Sequence, residues 1–86
     1  MNEERKDLFA DGDVMDTCGY KFYGLALKYA EQSFFSEIKN AELLFMQGEY
    51  ESAIEELGLA RDEAKMLTIT DEDFDELIGL ISVLIE

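Results

Sequence analysis

Apolar side chains recur every three or four residues along most of the chain. This spacing places side chains on one face of an α-helix, whereas a half-buried strand would alternate apolar and polar residues. Proline, which interrupts helices, is absent from the sequence. The longest apolar stripe consists of Tyr20, Tyr23, Leu27, Ala30, Phe34, Ile38, Ala41 and Phe45. We therefore predict an all-α fold, a small bundle of three or four helices that forms a single domain over residues 1–86.

The stripe favours one long helix over residues 14–46, and a break near Ser33 is the alternative. Gly19 and Gly24 lower the helix propensity of this stretch without ending the helix. The first half of the stretch also has a second apolar face, made by Phe22, Leu25, Ala26 and Tyr29. A helix that is apolar on two sides must be covered on both sides, or must meet a partner.

Shorter helices are predicted at both ends of the chain. Residues 2–10 are expected to form a short helix, residues 10–13 a turn, and Asp13 the N-cap of the long helix. Thr70 is the expected N-cap of the last helix, whose acidic first turn complements the helix dipole. The apolar positions of that helix are Phe74, Leu77, Ile78, Ile81, Leu84 and Ile85, with Leu80 and Val83 beside them. More than one face of it is apolar, so both a monomer and a homodimer fit the sequence.

A helical hairpin is predicted around Gly48, because glycine adopts the positive φ that ends a helix without steric cost. The next helix, over residues 49–66, keeps mainly small side chains on one face, which allows close packing against the preceding helix. That face consists of Tyr50, Ala53, Leu57, Ala60 and Ala64. The bundle is thus organised around an antiparallel helical hairpin with its turn at Gly48.

The segment QGEYESAIEELGLAR, residues 47–61, resembles the second half of a tetratricopeptide repeat. The matching positions are Gly48, Tyr50, Ala53, Leu57 and Ala60, with Ala41 at the small position of the preceding helix. The segments GLALKYA and GLARDEA also echo the 34-residue period of that family. Glu37 and Lys65 depart from the pattern, which has a large aromatic residue and a proline there. The resemblance implies a close antiparallel hairpin; a plain hairpin is the alternative, since one unit cannot stack into a solenoid groove.

The chain is strongly acidic, with 21 aspartates and glutamates against 7 lysines and arginines and a net charge of -14. Residues 44–86 hold twelve of the acidic and two of the basic residues, a net charge of -10. Such a field repels nucleic-acid phosphates and anionic membrane surfaces, and it attracts basic proteins. The sequence therefore argues against direct nucleic-acid or membrane binding and for a basic protein partner.

Several kinds of chemistry are excluded or disfavoured. Histidine is absent, which excludes histidine-based triads and histidine metal ligands. Cys18 is the single cysteine, so we expect an inert buried thiol and a cytoplasmic location. The run DEDFDE at 71–76 mimics the opening of an EF-hand calcium loop, but Glu76 stands at the required glycine and Ser82 at the closing glutamate. We predict neither a metal nor a cofactor, and a protein that is not an enzyme.

The candidate partner-binding residues lie on the last two helices. On a helical wheel, the third helix places Leu59 and Met66 in a strip between two rows of acidic residues. These rows are Glu51, Glu55 and Asp62 on one side and Glu56 and Glu63 on the other, and the start of the last helix adds Asp71, Glu72, Asp73, Asp75 and Glu76. An apolar strip bordered by acids would dock a basic amphipathic partner. The preferred alternative is that Leu59 and Met66 pack under the last helix or the N-terminal segment.

Two functional hypotheses follow. The first is a non-catalytic acidic protein-binding module, an inhibitor that covers a basic, nucleic-acid-binding surface of a partner protein. In size, charge and helical simplicity the chain resembles small phage-type antagonists, including anti-CRISPR proteins and DNA mimics, whose carboxylates would stand in for phosphates. The second is a helical adaptor or scaffold of the tetratricopeptide-like type, as a monomer or a homodimer, in which the acidity only confers solubility.

Overall fold

The computed structural model describes residues 11–85, which form four α-helices joined by short turns. These are α1 (Asp11–Lys28), α2 (Phe35–Met46), α3 (Tyr50–Met66) and α4 (Glu72–Ile85). No strand occurs within these residues. The prediction of a small all-α bundle is confirmed. The predicted helix over residues 2–10 lies outside the described residues.

The four helices form an up-down-up-down bundle around one core. Each helix packs against the next in the chain, and α4 returns to pack against α1. Two aromatic contacts show that α1 and α2 are antiparallel. Phe22, inside α1, contacts Phe45 near the end of α2, whereas Tyr29, just after α1, contacts Phe34, just before α2. The buried side chains from all four helices form a single apolar cluster. Because α1 and α3 occupy diagonal corners, their outer faces point in opposite directions.

The predicted continuous helix over residues 14–46 is wrong, and the break near Ser33 is what the structure shows. Residues 29–34 form turns, in which the Gln32 amide donates to the Tyr29 carbonyl and the Phe35 amide to the Gln32 carbonyl, both at 3.0 Å. A continuous helix would be ~50 Å long, whereas α3 and α4 are only ~26 and ~21 Å long. The break folds the segment back on itself, so that both halves share one core and Phe34 is fully buried.

The break also decides which face of α1 is buried. Phe22 and Leu25 are fully buried, and Tyr29 is partly buried beside them. This is the face that the sequence identified as the second apolar side. The predicted main stripe is wrong in its first half, since Tyr20 and Leu27 are exposed. The second half of that stripe is buried as predicted, at Phe34, Ile38, Ala41 and Phe45.

The hairpin of α2 and α3 agrees with its prediction. Ala53, Leu57, Ala60 and Ala64 of α3 are fully buried, as is Ala41 of α2. These small side chains lie where the two helices face each other, so their backbones can approach closely. The family resemblance suggested by the same positions remains a prediction, because a close hairpin is expected with or without kinship.

Two predicted N-caps are wrong. Asp13 lies inside α1, where its backbone carbonyl accepts a hydrogen bond from the Thr17 hydroxyl at 3.0 Å, so residues 11–13 are helical and not part of a turn. At the start of α4 the cap is Asp71 and not Thr70. The Asp71 carboxylate accepts a hydrogen bond from the Asp73 backbone amide at 2.9 Å, the interaction that satisfies an orphan donor in the first turn.

The same C-terminal motif ends α2 and α3. After α2, the Gly48 amide donates to the Phe45 carbonyl at 3.0 Å and the Glu49 amide to the Leu44 carbonyl at 2.8 Å. After α3, Thr68 and Ile69 donate to Lys65 and Ala64 in the same way, at 2.9 Å each. This is the Schellman motif, which needs a positive φ at one residue. Gly48 has φ 83° and Thr68 has φ 62°.

These turns predict opposite effects for two substitutions. Gly48→Ala is expected to destabilise the protein by about 1 kcal/mol, because alanine resists the left-handed conformation. Thr68→Gly is expected to stabilise it by about 0.5–1 kcal/mol, because a β-branched residue there is strained. Thermal unfolding of both variants tests this. A destabilised Thr68→Gly variant would contradict the prediction.

Candidate protein-binding surface

The outer face of α3 carries an exposed apolar strip. Leu59 is 55% exposed and Met66 is 83% exposed. The expectation that they pack under the last helix is therefore wrong, because α4 covers the other side of α3, through Arg61 and Asp75, whose Nη1 and Oδ1 atoms are 2.8 Å apart. The other half of that expectation, packing under the N-terminal segment, falls on residues outside the described range. The strip points away from the core formed by Ala53 and its neighbours, as the helical wheel indicated.

The acidic rows flank this strip as predicted, but their members differ in their contacts. Glu51 and Glu55 are exposed, Glu56 is half-buried, and none of the three forms an ion pair within residues 11–85. Asp62 lies 3.4 Å from the Arg61 Nε atom. Glu63 accepts a hydrogen bond from the Ser33 hydroxyl at 2.9 Å, which ties α3 to the α1–α2 turn. Among the described residues, the carboxylates of the N-terminal half of α3, Glu51, Glu55 and Glu56, are therefore the ones available to a partner's cations.

The acids of residues 71–76 mostly serve the bundle itself. Glu76 lies 2.7 Å and Asp73 3.4 Å from the Lys21 ammonium of α1. Asp71 lies 2.6 Å and Asp73 3.4 Å from the Lys28 ammonium. These hydrogen bonds raise the pKa of Lys21, chiefly through Glu76, and the pKa of Lys28, chiefly through Asp71. These carboxylates therefore clamp α4 to α1.

Asp71 is the most densely bonded of these carboxylates. It caps α4, pairs with Lys28, and accepts a hydrogen bond from the Tyr29 hydroxyl at 2.5 Å. Partial burial of Asp71 opposes its ionisation, but the bonds from Lys28, Tyr29 and the Asp73 amide outweigh it and lower the pKa. Burial and the same hydrogen bond raise the pKa of Tyr29. Asp71 is a structural residue of the α1–α4 contact.

The remaining candidates of this segment separate from one another. Glu72 is exposed and forms no ion pair within the described residues. Asp75 is held by Arg61, and this hydrogen bond raises the pKa of that guanidinium. The structure therefore does not join residues 71–76 and the α3 strip into one free acidic surface. Lys21 and Lys28, seven residues apart on one side of α1, were the sequence signal for the internal clamp.

Among the described residues, the thiol and the acidic clusters offer no catalytic or metal site. Cys18 is fully buried, and burial raises the pKa of its thiol to about 11, so it is a poor nucleophile at neutral pH. Within residues 11–85, no three acidic or cysteine side chains converge on a point that would hold a metal ion. In the same part of the chain, every helix is too short or too polar to cross a membrane.

Comparison with known proteins adds no functional assignment. Searches among protein families, curated proteins and solved structures each return no match to this chain. The surface of α3 thus has to be interpreted from its own geometry.

Proposed function

We propose that the protein is a non-catalytic module that binds a basic partner protein through the outer face of α3. The observation that supports this most directly is the pair Leu59 and Met66, exposed beside Glu51, Glu55 and Glu56, which form no ion pair within residues 11–85. An apolar centre with a polar rim is the usual anatomy of a protein–protein interface. The location of the module, as its single cysteine suggests, is cytoplasmic.

The finer proposal is that the partner uses its basic surface to bind nucleic acid and that this protein covers it. Glu51, Glu55 and Asp62 follow one side of α3 at one- and two-turn intervals, so their carboxylates form a line of negative charge along the helix. The net charge of -14 would speed encounter with a basic surface. The protein would then act as an inhibitor of the kind to which anti-CRISPR proteins and DNA mimics belong.

The alternative proposal is a helical adaptor of the tetratricopeptide-like type, as a monomer or a homodimer. The feature that favours it is the amount of exposed apolar surface, which extends beyond α3 to Tyr20 and Leu27 of α1. Binding by such surfaces depends little on salt, whereas charge steering fades as ionic strength rises. Salt dependence therefore separates the two proposals.

The test replaces Glu51, Glu55 and Glu56 with glutamine, which removes three charges and keeps the side-chain volumes. Exposed ion pairs contribute about 0.2–1 kcal/mol each, so the affinity for the partner should fall between threefold and a hundredfold at low salt. Most of this loss should appear in the association rate. The partner is first captured from a cell extract with the tagged protein, and its affinity is then measured by surface plasmon resonance with purified components.

The matched control removes three charges elsewhere, by Asp13→Asn, Glu31→Gln and Glu37→Gln. It removes the same number of negative charges but leaves α3 intact, so its affinity loss should be smaller. Equal losses would mean that only the overall field matters. A second variant, Leu59→Ser with Met66→Ser, should weaken binding without changing its salt dependence. Unchanged affinity of the glutamine variant would contradict the inhibitor proposal.

A further inference from the structure

The outer face of α1 is an aromatic surface that no other described helix covers, on the far side of the bundle from α3. Tyr20 is 79% exposed, Tyr23 63% and Leu27 62%. They lie three and four residues apart, so they form one continuous strip along the helix. Tyrosine combines a large apolar ring with a polar hydroxyl, and it is enriched in the energetic centres of interfaces. This strip was predicted to be core and is instead exposed.

A shallow groove runs beside this strip, where α1 meets the C-terminal half of α2. Its walls are Met15, Asp16, Gly19, Tyr20, Tyr23 and Glu42. Gly19 leaves the floor open: a Cβ atom built at Gly19 has no neighbouring atom within 4 Å. Its φ is not positive, so neither packing nor backbone conformation requires a glycine there. In the middle of a helix, that glycine lowers stability by about 0.5–1 kcal/mol relative to alanine.

The charges around the groove favour the binding of a cationic group. The two lysines of α1, Lys21 and Lys28, point to α4 and are paired there with acidic residues. The groove itself presents the carboxylates of Asp16 and Glu42 beside two tyrosine rings. Glu42 also lies 2.8 Å from the Lys39 ammonium, an exposed pair that a partner's cation can share. Asp16 forms no ion pair among the described residues.

Arginine suits this combination of groups better than lysine does. Its planar guanidinium stacks on an aromatic ring and donates hydrogen bonds in a fork to a carboxylate. A second copy of the chain is a poor occupant, because two molecules of net charge -14 repel and would bring their groove carboxylates together. Charge complementarity therefore selects a basic protein segment.

We propose that the groove between α1 and α2 binds an arginine-bearing segment of a partner protein, with the guanidinium between Tyr20, Tyr23 and the carboxylates of Asp16 and Glu42. This site does not depend on the proposed function of α3. The two faces point in opposite directions, so one molecule can hold a basic partner at each.

The probe is a fluorescein-labelled alanine-based peptide with arginine at every fourth position, titrated into the full chain and followed by fluorescence anisotropy. Tyr20→Ala combined with Tyr23→Ala should weaken binding by about tenfold or more, since aromatic anchors dominate such contacts. Gly19→Leu should do the same by filling the groove. Gly79→Leu, at the exposed glycine of α4, is the matched control and should bind as the parent does. A peptide with lysine in place of arginine should bind several-fold more weakly.

Amide chemical shifts in the NMR spectrum locate the bound peptide. Binding in the groove should shift the amides of residues 15–23 and 42, whereas shifts confined to residues 51–66 would overturn this proposal and favour α3 alone. Equal affinity of the parent and the two groove variants would also overturn it. So would a dimer, detected by analytical ultracentrifugation, that the double tyrosine variant abolishes, or NOE contacts from residues 1–10 to Tyr20. These two results would assign the groove to a second copy or to the chain's own N-terminal segment.

Discussion

Replacing Phe34 with alanine is expected to lower the free energy of unfolding by about 3–5 kcal/mol. The Phe34 ring is fully buried, and its centroid lies 5.2 Å from that of Tyr29 and 6.2 Å from that of Phe74. These contacts join the α1–α2 turn to the first half of α4, so the cavity would open where that turn meets α4. A loss of this size is a large fraction of the 5–15 kcal/mol that stabilises a typical domain. Urea unfolding followed by far-UV circular dichroism measures it.

Phe35→Ala is the matched control, because it removes the same ring one residue further along. Phe35 is only partly buried and lies outside the apolar cluster. Its loss should cost clearly less than that of Phe34. Equal stability losses in the two variants would contradict the observed helix break, because the turn determines that Phe34, and not Phe35, enters the core.

The sequence predicted the helical class and most of the core, but it offered the break near Ser33 only as the alternative to a continuous helix. The reason is that the residues of the break are ordinary in a helix. Residues 29–34, YAEQSF, contain neither glycine nor proline, and nothing local forbids helical dihedral angles. The cause is tertiary: the other helices are too short to cover a continuous one, and the apolar faces of its two halves find cover only when it folds back.

The choice between the two apolar faces of α1 was undecidable for a related reason. Both faces have helical spacing, so a periodicity argument ranks them equally. The distinguishing residues are Lys21 and Lys28, which flank the buried face and pair with the acids of α4. Recognising them required knowing that α4 packs against α1. The hairpin at Gly48 was predictable because it rests on local features, a glycine turn and small residues on adjacent helices.

The candidate partner-binding residues show the same contrast between features that depend on one helix and features that depend on tertiary packing. The outer face of α3 was drawn correctly on its helical wheel, because it depends mainly on the rotation of one helix, although burial of Leu59 and Met66 was the preferred interpretation. The acids at 71–76 were interpreted as part of the same surface because charge alone does not reveal its partner. In the folded protein Asp71, Asp73 and Glu76 face lysines of α1. These lysines are two of only seven basic residues in the chain, and they are separated from these acids by more than forty residues.

Because Asp71 joins α4 to α1, its substitution is expected to lower the free energy of unfolding by an amount that depends on pH. Asp71→Ala is expected to destabilise the protein by about 2–3 kcal/mol at neutral pH, of which the lost N-cap accounts for about 1 kcal/mol. The half-exposed Lys28 contributes little as an ion partner. The Tyr29 hydroxyl, left without its acceptor in a partly buried position, accounts for much of the remainder. Asp71→Asn keeps a capping side chain, so it should cost only about 1–2 kcal/mol.

The sign of the pH dependence follows from the direction of the shift. The pKa of Asp71 is lower in the folded state than its ordinary value of about 3.9, so the unfolded chain takes up a proton there first as pH falls. The stability that the carboxylate contributes is therefore complete above about pH 5 and is lost as pH falls through the folded-state pKa. The stabilities of the parent and of Asp71→Asn should differ most at neutral pH and converge in acid.

Glu42→Gln, which breaks the exposed pair with Lys39, is the control and should change stability by less than about 0.5 kcal/mol at any pH. Urea midpoints measured from neutral to acidic pH test this, and a constant difference between the parent and Asp71→Asn would show that ionisation of Asp71 does not support the α1–α4 contact.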